Sequence, residues 1–539
     1  MGVRDPVHSP HVKERQMTNP DVATDRATWR AWLGLGLLVL PSFMIATDIT
    51  MLFLVMPALT ADLAPSTTQM LWILHIGEFA AAGLVITMGR LTDKIGRRRL
   101  LLLAMATYAA GSGLAALSTT PEMLLIARVL IGAATAAASP AAITLVRSMF
   151  VRPREFGIAF AILMGTYSVG ATLGPPLGGL LLEHFSWASV FLVNIPVALA
   201  VLLAGRWLLP TYRDPAGGGV DILSVVLSTL AVLAVVFGLQ EIAANGLAGR
   251  YVAAIAGGLG LGVVFLRRQR RLADPLLDLS LFANRAFAVS AGVLFGTAMA
   301  FMASDMMVVQ YLQVVVGMSM TGLGLLLGAA GAAAVVGTVL APVALRRLLP
   351  STVLVFSLVG AVAGAAIALS AISFLDGSLP LLVVGTTLGG LFSSPVFVVA
   401  AQLVVTSAPA RHAGSATAVQ DLSAGTGGAA GLAMIGSAAM VVFARVLRAD
   451  APAAADPDIV DAATQSVGGA LAAGDLVGGA LGQQLRTAVE SALTGAAQAT
   501  YLMTIAVALG VAVVALRGLR GVRLPDHVEG EPAEVGAAR

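Results

Sequence analysis

The chain has no cysteine, which excludes disulfides, thiol nucleophiles and thiolate metal sites. It has little charge: Asp, Glu, Lys and Arg make up 11% of 539 residues, where a soluble protein carries about 25%. Lysine is nearly missing, with Lys13 and Lys94 the only two. The six histidines are His8, His11, His75, His184, His412 and His527. Beyond the amino-terminal pair, no two stand at metal-ligand spacing. No glycine-rich loop ending in Lys-Ser or Lys-Thr occurs, so a nucleotide is not the direct fuel. No catalytic cluster, metal site or cofactor is read from the chain, and an enzyme is not expected.

What is present is apolar. Hydrophobic residues make up 58%, and the mean hydropathy is +0.90. Fourteen apolar runs are predicted, at 32–57, 70–88, 100–118, 122–146, 158–182, 188–210, 221–241, 249–266, 288–316, 321–345, 351–374, 380–406, 413–443 and 497–517. Most are long enough to cross a bilayer. Basic residues sit in alternate loops, including Arg90–Arg99, Arg147–Arg154, Arg267–Arg271, Arg346–Arg347 and Arg411. The positive-inside rule then puts both termini in the cytoplasm. The net charge of +3 reflects these loops, and no nucleic-acid partner is expected.

The expected organisation is a disordered cytoplasmic stretch at 1–30 and six helices over 31–210. Two inserted helices with a linker cover 211–286, six further helices 287–520, and a cytoplasmic tail 521–539. The outer loop 444–496 is expected to hold short surface helices. A shift of 257 residues lays Arg154, Gly157, Gly170, Gly174 and Gly179 on Arg411, Gly414, Gly427, Gly431 and Gly436. Two parallel repeats of six helices are expected from that.

Three strings and a set of acids carry the chemistry. Gly165–Gly179 holds Gly170, Gly174 and Gly178 at every fourth residue, a stripe that lets another backbone pack close. Pro175 and Pro176 remove two amide donors there and are expected to bend the helix. Gly89-Arg-Leu-Thr-Asp-Lys-Ile-Gly-Arg-Arg-Arg99 joins runs 2 and 3, with Gly89, Asp93, Gly96 and Arg97 at turn and capping positions. Arg128-Val-Leu-Ile-Gly132 sets an arginine inside run 4, where an unpaired charge is costly. Acids stand inside runs as well: Asp48, Asp305, Asp421 and Glu78. A carboxyl in hydrocarbon tends to carry a proton, and one that titrates near neutrality can trade it for a cationic ligand. Histidine is the side chain that changes charge most readily near neutrality, so His75 is either a second candidate for proton relay or a hydrogen-bonded packing residue near the outer end. Glu78 either faces a cavity or lies against Arg128.

These strings resemble those of the major facilitator superfamily. Gly170–Gly179 is similar to its antiporter signature, Gly89–Arg99 to its cytoplasmic loop signature, and Arg128–Gly132 to its fourth-helix signature. Trp187, Phe191, Asn194 and Pro196 resemble the string of its fourteen-helix drug:proton antiporter branch, as do Asp221 and Gln310–Gln313. The resemblance implies an all-α membrane fold of two six-helix halves plus two inserted helices. It implies a cytoplasmic latch at Asp93 and a role for Arg128 near the proton path. It also implies a multi-pass protein of the bacterial inner membrane that exports amphipathic drugs, dyes or antiseptics against protons. Where quaternary-ammonium exporters of the branch carry an acid and an aromatic, this chain has His75 and Gly77. Where they carry two acids, it has Gln420-Asp421. Two negative charges fewer point to monovalent cationic or neutral cargo. The rival reading is a dedicated exporter of one metabolite, such as an antibiotic or siderophore. Expected partners are the cargo, protons and lipid, with the chain a monomer.

Overall fold

The computed structural model of the chain describes residues 27–65, 67–211, 221–245, 248–272, 275–374, 377–409, 412–464 and 467–522. The expectations for 1–26, 523–539 and Arg411, and those for the side chains of Asp93 and Pro175, lie outside what is described. Among the described residues the secondary structure is helical, and fourteen helices are long and apolar enough to cross a membrane.

The first half holds α1 (Trp29–Leu63), α2 (Thr67–Ile95), α3 (Arg97–Ala116), α4 (Pro121–Met149), α5 (Pro153–His184), the short α6 (Ser189–Leu192) and α7 (Asn194–Leu208). An inserted hairpin follows, α8 (Ile222–Asn245) and α9 (Gly249–Gln269). The second half holds α10 (Arg285–Val314), α11 (Met320–Ala344), α12 (Pro350–Phe374) and α13 (Leu379–Thr406). Then comes α14 (Ala413–Gly431), which passes through a π-turn (Leu432–Gly436) into α15 (Ser437–Asp450). The chain ends on α16 (Pro457–Ala463), α17 (Val467–Val477) and α18 (Gly479–Gly518). Caps fit the sequence: Thr28, Thr120 and Ser319 accept from backbone amides at the starts of α1, α4 and α11, as short hydroxyl side chains do.

Backbone-to-backbone packing sets the register of both halves. Gly170 of α5 lies against the Phe43 carbonyl of α1, and Gly174 against Thr47 and Thr50. In the second half Gly427 of α14 lies against the Phe295 carbonyl of α10, and Gly431 against that of Met299. Phe43 to Phe295 and Thr47 to Met299 are both steps of 252, so the two contacts are the same contact repeated. Helix α5 runs unbroken across Pro175–Pro176. Its other side packs on α11, where Gly165 meets Thr338 and Thr172 meets Gly331.

The inserted hairpin leans on both halves. Thr229 of α8 donates to the Gly83 carbonyl of α2 at 3.0 Å, and Trp72 of α2 stacks on Phe237 of α8. Ile242 and Tyr251 pack with Ala433 of the π-turn. At the hairpin's base, Arg268 holds Asp221 through two hydrogen bonds of 2.7 and 3.1 Å. Arg268 first, and Ser224 second, hold the Asp221 carboxyl well below the usual carboxylate range.

The segment 444–496 is more built than the sequence suggests. Helix α18 has 40 residues, about 60 Å at 1.5 Å per residue, roughly twice the thickness of a bilayer core. Its first turns pack Leu485, Val489 and Leu493 against Phe443 and Leu447 of α15 in one buried cluster. The described residues of 444–496 are therefore largely helical, and their apolar face joins a cluster that also takes in Tyr311, Leu312 and Leu382 of the second half.

Alanine at Gly170 would bring its Cβ to 2.7 Å from the Phe43 carbonyl oxygen. Gly170→Ala is expected to destabilise the purified protein by about 1–3 kcal/mol through overpacking. Gly425→Ala, where a Cβ meets nothing within 4 Å, should be neutral or slightly stabilising. Unfolding in detergent checks both.

Candidate functional site

The deepest charges form a pair. Arg128 of α4 donates to Asp48 Oδ2 of α1 at 2.6 Å, and the two side chains are only 3% and 4% exposed. The sequence left Arg128 opposite Glu78 or free in a proton path, and the fold sets it on Asp48. Glycines make the space. Gly132 packs directly on the Gly77 carbonyl, and a Cβ at Gly77 would stand 3.3 Å from Arg128 Nη2. Glycine in place of an aromatic at position 77 thus seats the guanidinium. Tyr108 of α3 is fully buried, and its hydroxyl lacks a hydrogen-bond partner among the described residues, as do Asp48 Oδ1 and Arg128 Nε. A buried ion pair with unfilled hydrogen bonds is a weak stabiliser, because each charge has lost its water.

A second acid bridges the halves. Ser139 of α4 donates to Asp421 Oδ2 of α14 at 2.7 Å, and Gln420 Nε2 lies 3.4 Å from Oδ1. Tyr167 of α5 is 44% exposed and within electrostatic reach of both Glu78 and Asp421. Glu78 is half-exposed and meets His75 one turn away at 3.7 Å, so the two form a local couple on α2.

The third acid stands apart. Asp305 of α10 opens onto a pocket of about 340 Å³ lined by Met302, Met306, Val309, Gln310 and Leu327. Asp48 has Arg128, Asp421 has Ser139 and Glu78 has His75; Asp305 has no hydrogen-bond or ion-pair partner among the described residues. Met302 and Met306 face this pocket, whereas Met44, Met51, Met56 and Met307 are buried in the packing.

The arginine-rich end holds the halves together. Gly89 of α2 packs on the Gly414 carbonyl and Ala418 of α14. Gly96 takes φ 100°, a conformation that suits glycine alone, and lets α3 start at once. Arg97 folds back to the Thr144 carbonyl at 3.2 Å. Arg147 is the residue that sequence reasoning missed, having read it as one more loop arginine. It is buried and donates to the Val405 and Ala408 carbonyls of the other half at 2.6 and 2.8 Å. That caps the end of α13, where carbonyls lack helical donors and the helix dipole favours a cation. Ser139 and Leu327 were missed as well; their sequence surroundings are apolar and offered no signal. Gly178 is buried and Gly179 half-buried on α5. At the opposite end Trp187 donates to Asp62 at 2.8 Å and sits edge-on to Phe191.

The Major Facilitator Superfamily family model matches residues 38–432. The chain belongs to that superfamily. It is 34% identical over 500 residues to the multidrug efflux pump LfrA of Mycolicibacterium smegmatis, covering 91% of this chain and 97% of that one. It is 32% identical over 413 residues to the tetracenomycin C resistance and export protein of Streptomyces glaucescens, covering 76% of each. The methyl viologen resistance protein SmvA of Salmonella typhimurium is 34% identical over 296 residues, 54% of this chain and 59% of that one. Among solved structures, the human organic anion transporter MFSD10 superposes with a TM-score of 0.57 at 14% identity, covering 90% of this chain and 99% of that one. A bacterial homologue of the lysosomal transporter Spinster gives 0.54 at 16% identity, covering 93% and 99%. The fold is that of this superfamily, and the chain is a multi-pass transporter-family protein of the bacterial plasma membrane.

Asp48→Asn leaves a buried guanidinium without its counter-charge and is expected to destabilise the protein by about 3–5 kcal/mol. The double variant Asp48→Leu/Arg128→Met should recover most of that loss in a thermal melt. Arg147→Ala is expected to loosen the arginine-rich end. With no native cysteine to compete, spin labels at Arg154→Cys and Pro409→Cys should gain a longer distance component in the variant; an unchanged distribution would show that Arg147 does not hold the halves.

Proposed function

We propose that the protein is a proton-coupled antiporter that exports amphipathic, monovalent cationic or neutral drugs, dyes or antiseptics by alternating access. The observation that carries this reading is the Asp305 carboxylate, without a hydrogen-bond or ion-pair partner among the described residues, on an open apolar pocket between α10 and α11. An ionised carboxyl there is costly, so it is held either by a proton or by a cationic cargo, and the exchange of one for the other is antiport. The multidrug efflux pump LfrA, similar over nearly its whole length, supports an exporter of mixed cargo.

The arginine-rich end is the cytoplasmic one in this reading, by the excess of arginine there. Arg147, Gly89–Gly414 and Ser139–Asp421 then close the cytoplasmic side. A proton arriving from outside neutralises Asp305 and releases the cargo outward. Asp421, at the contact between halves, reports the protonation state to the gate. Asp48, locked to Arg128, is the structural acid of the set rather than the exchanging one. Each proton driven inward supplies about 2.3 kcal/mol per 100 mV.

Export of one endogenous metabolite is the second reading. It is favoured by the likeness to the tetracenomycin C resistance and export protein. The mechanism would be the same and the cargo range narrow.

Cells loaded with ethidium separate these outcomes. Wild type is expected to clear the dye, and a protonophore should stop it. Asp305→Asn and Asp421→Asn should each slow efflux at least about tenfold. Dye that leaves equally fast with a protonophore present would rule out proton coupling. No dye movement by wild type would leave the single-metabolite reading standing.

A further inference from the structure

The surroundings of the Asp48–Arg128 pair hold more polar atoms than partners. Asp48 Oδ1, Arg128 Nε, the Tyr108 hydroxyl and the Ser112 hydroxyl are all buried and make no hydrogen bond to a described residue. Tyr108 and Ser112 are both 0% exposed. They stand four residues apart on α3, so they share one face of that helix. Gly111 fixes the level of this face. A Cβ there would lie 3.3 Å from both the Ala127 carbonyl oxygen and the Ile131 amide nitrogen of α4, the turn that carries Arg128. Tyr108 is within electrostatic reach of both Asp48 and Arg128. Helices α1, α3 and α4 thus bring these four groups to one level of the first half, among the apolar side chains of its core.

We propose that an ordered water molecule is bound between α1, α3 and α4, held by Asp48 Oδ1, Arg128 Nε and the hydroxyls of Tyr108 and Ser112. The count of donors and acceptors selects this ligand. Arg128 Nε only donates, the Asp48 carboxylate oxygen only accepts, and each hydroxyl can do either. Water offers two hydrogens and two lone pairs. It accepts from Nε and from one hydroxyl, and it donates to Oδ1 and to the other hydroxyl, so all four groups are filled. Charge rejects the alternatives. The guanidinium repels a cation, the carboxylate repels an anion, and the pair together carries no net charge. A buried water with two to four polar partners is a usual way to satisfy such groups, and leaving them unfilled in an apolar core is costly. The water ties α3 to the α1–α4 pair, which no printed side-chain bond of Tyr108 or Ser112 does, and returns to the pair part of the hydration that burial removed. It does not depend on the exporter reading.

The test uses the purified full chain in lipid nanodiscs. Synchrotron radiolysis makes hydroxyl radicals from water itself, so a buried side chain is modified where water is bound beside it. Tyr108 is expected to label at least about tenfold faster than Phe160, an aromatic that is equally buried. Ser112→Val keeps the Tyr108 hydroxyl but puts methyl groups against the water, and should bring Tyr108 down to the Phe160 rate. Thermal melts supply an independent sign. With the water in place, Tyr108→Phe and Ser112→Ala each remove a filled hydrogen bond and should lower the melting temperature by about 2 °C or more. The double variant should lose less than the sum, because both substitutions act on one water. Without it, each substitution deletes an unfilled polar atom and raises the melting temperature. Wild-type Tyr108 labelled no faster than Phe160, or melts raised by both Tyr108→Phe and Ser112→Ala, would overturn the site.

Discussion

Hydrocarbon tolerates neither an unpaired charge nor an unpaired backbone group, and the architecture follows from that pair of prohibitions. The backbone is satisfied by making every described crossing a helix. The charges are satisfied one by one. Arg128 and Asp48 neutralise each other, Arg147 spends its charge on the carbonyls at the end of α13, and Asp421 accepts a hydroxyl from the other half. Among the described residues Asp305 has no hydrogen-bond or ion-pair partner, and it opens onto an apolar pocket.

The helix pattern was legible because apolar runs and arginine placement are properties of the chain itself. So was the duplication, since the glycines that let α5 meet α1 and α14 meet α10 recur at one spacing. The structure adds what they do: each pair sets a glycine on the same carbonyl in its half, which is why the repeat survives in glycine and not in the larger residues around it. The pairing of acids was not legible. Glu78, Asp48 and Arg128 lie on three different helices, and which two meet depends on interhelical rotation. Gly77 and Gly132 decide it, and as lone glycines in an Ala- and Gly-rich chain they carry no visible mark. Arg147 shows the same blindness from the other side. Its sequence neighbours make it a loop arginine, and only the position of α13 turns it into a buried cap.

The segment 444–496 is longer in helix than its sequence suggests, for a physical reason as well. Its Ala, Gly and Asp content reads as a loop with short surface helices because no single stretch is apolar enough for lipid. Yet α15 and α18 need only one apolar stripe each to pack on one another, and Phe443, Leu447, Leu485, Val489 and Leu493 supply it. A helix that leaves the membrane no longer has to be apolar all round, so the same helix changes its sequence character part-way along.

The inserted hairpin and the arginine-rich end are tied through one pair of helices. The arginine-rich end is closed where α2 meets α14 at Gly89 and Gly414. The hairpin grips α2 through Thr229 and the Trp72–Phe237 stack, and grips the continuation of α14 at its π-turn. Any motion that parts α2 from α14 must therefore either carry the hairpin with one half or strain its hold on the other. The π-turn is a natural place for that strain, since an i to i+5 turn is a local irregularity with weaker backbone bonding than the α-helix on either side. The glycines beside it, Gly427 and Gly431, fix α14 tightly to α10 below the irregularity, so bending there moves α15 while leaving the register around Asp421 in place. The contact between α10 and α14 at Gly427 and Gly431 thus lies on the other side of the irregularity from α15.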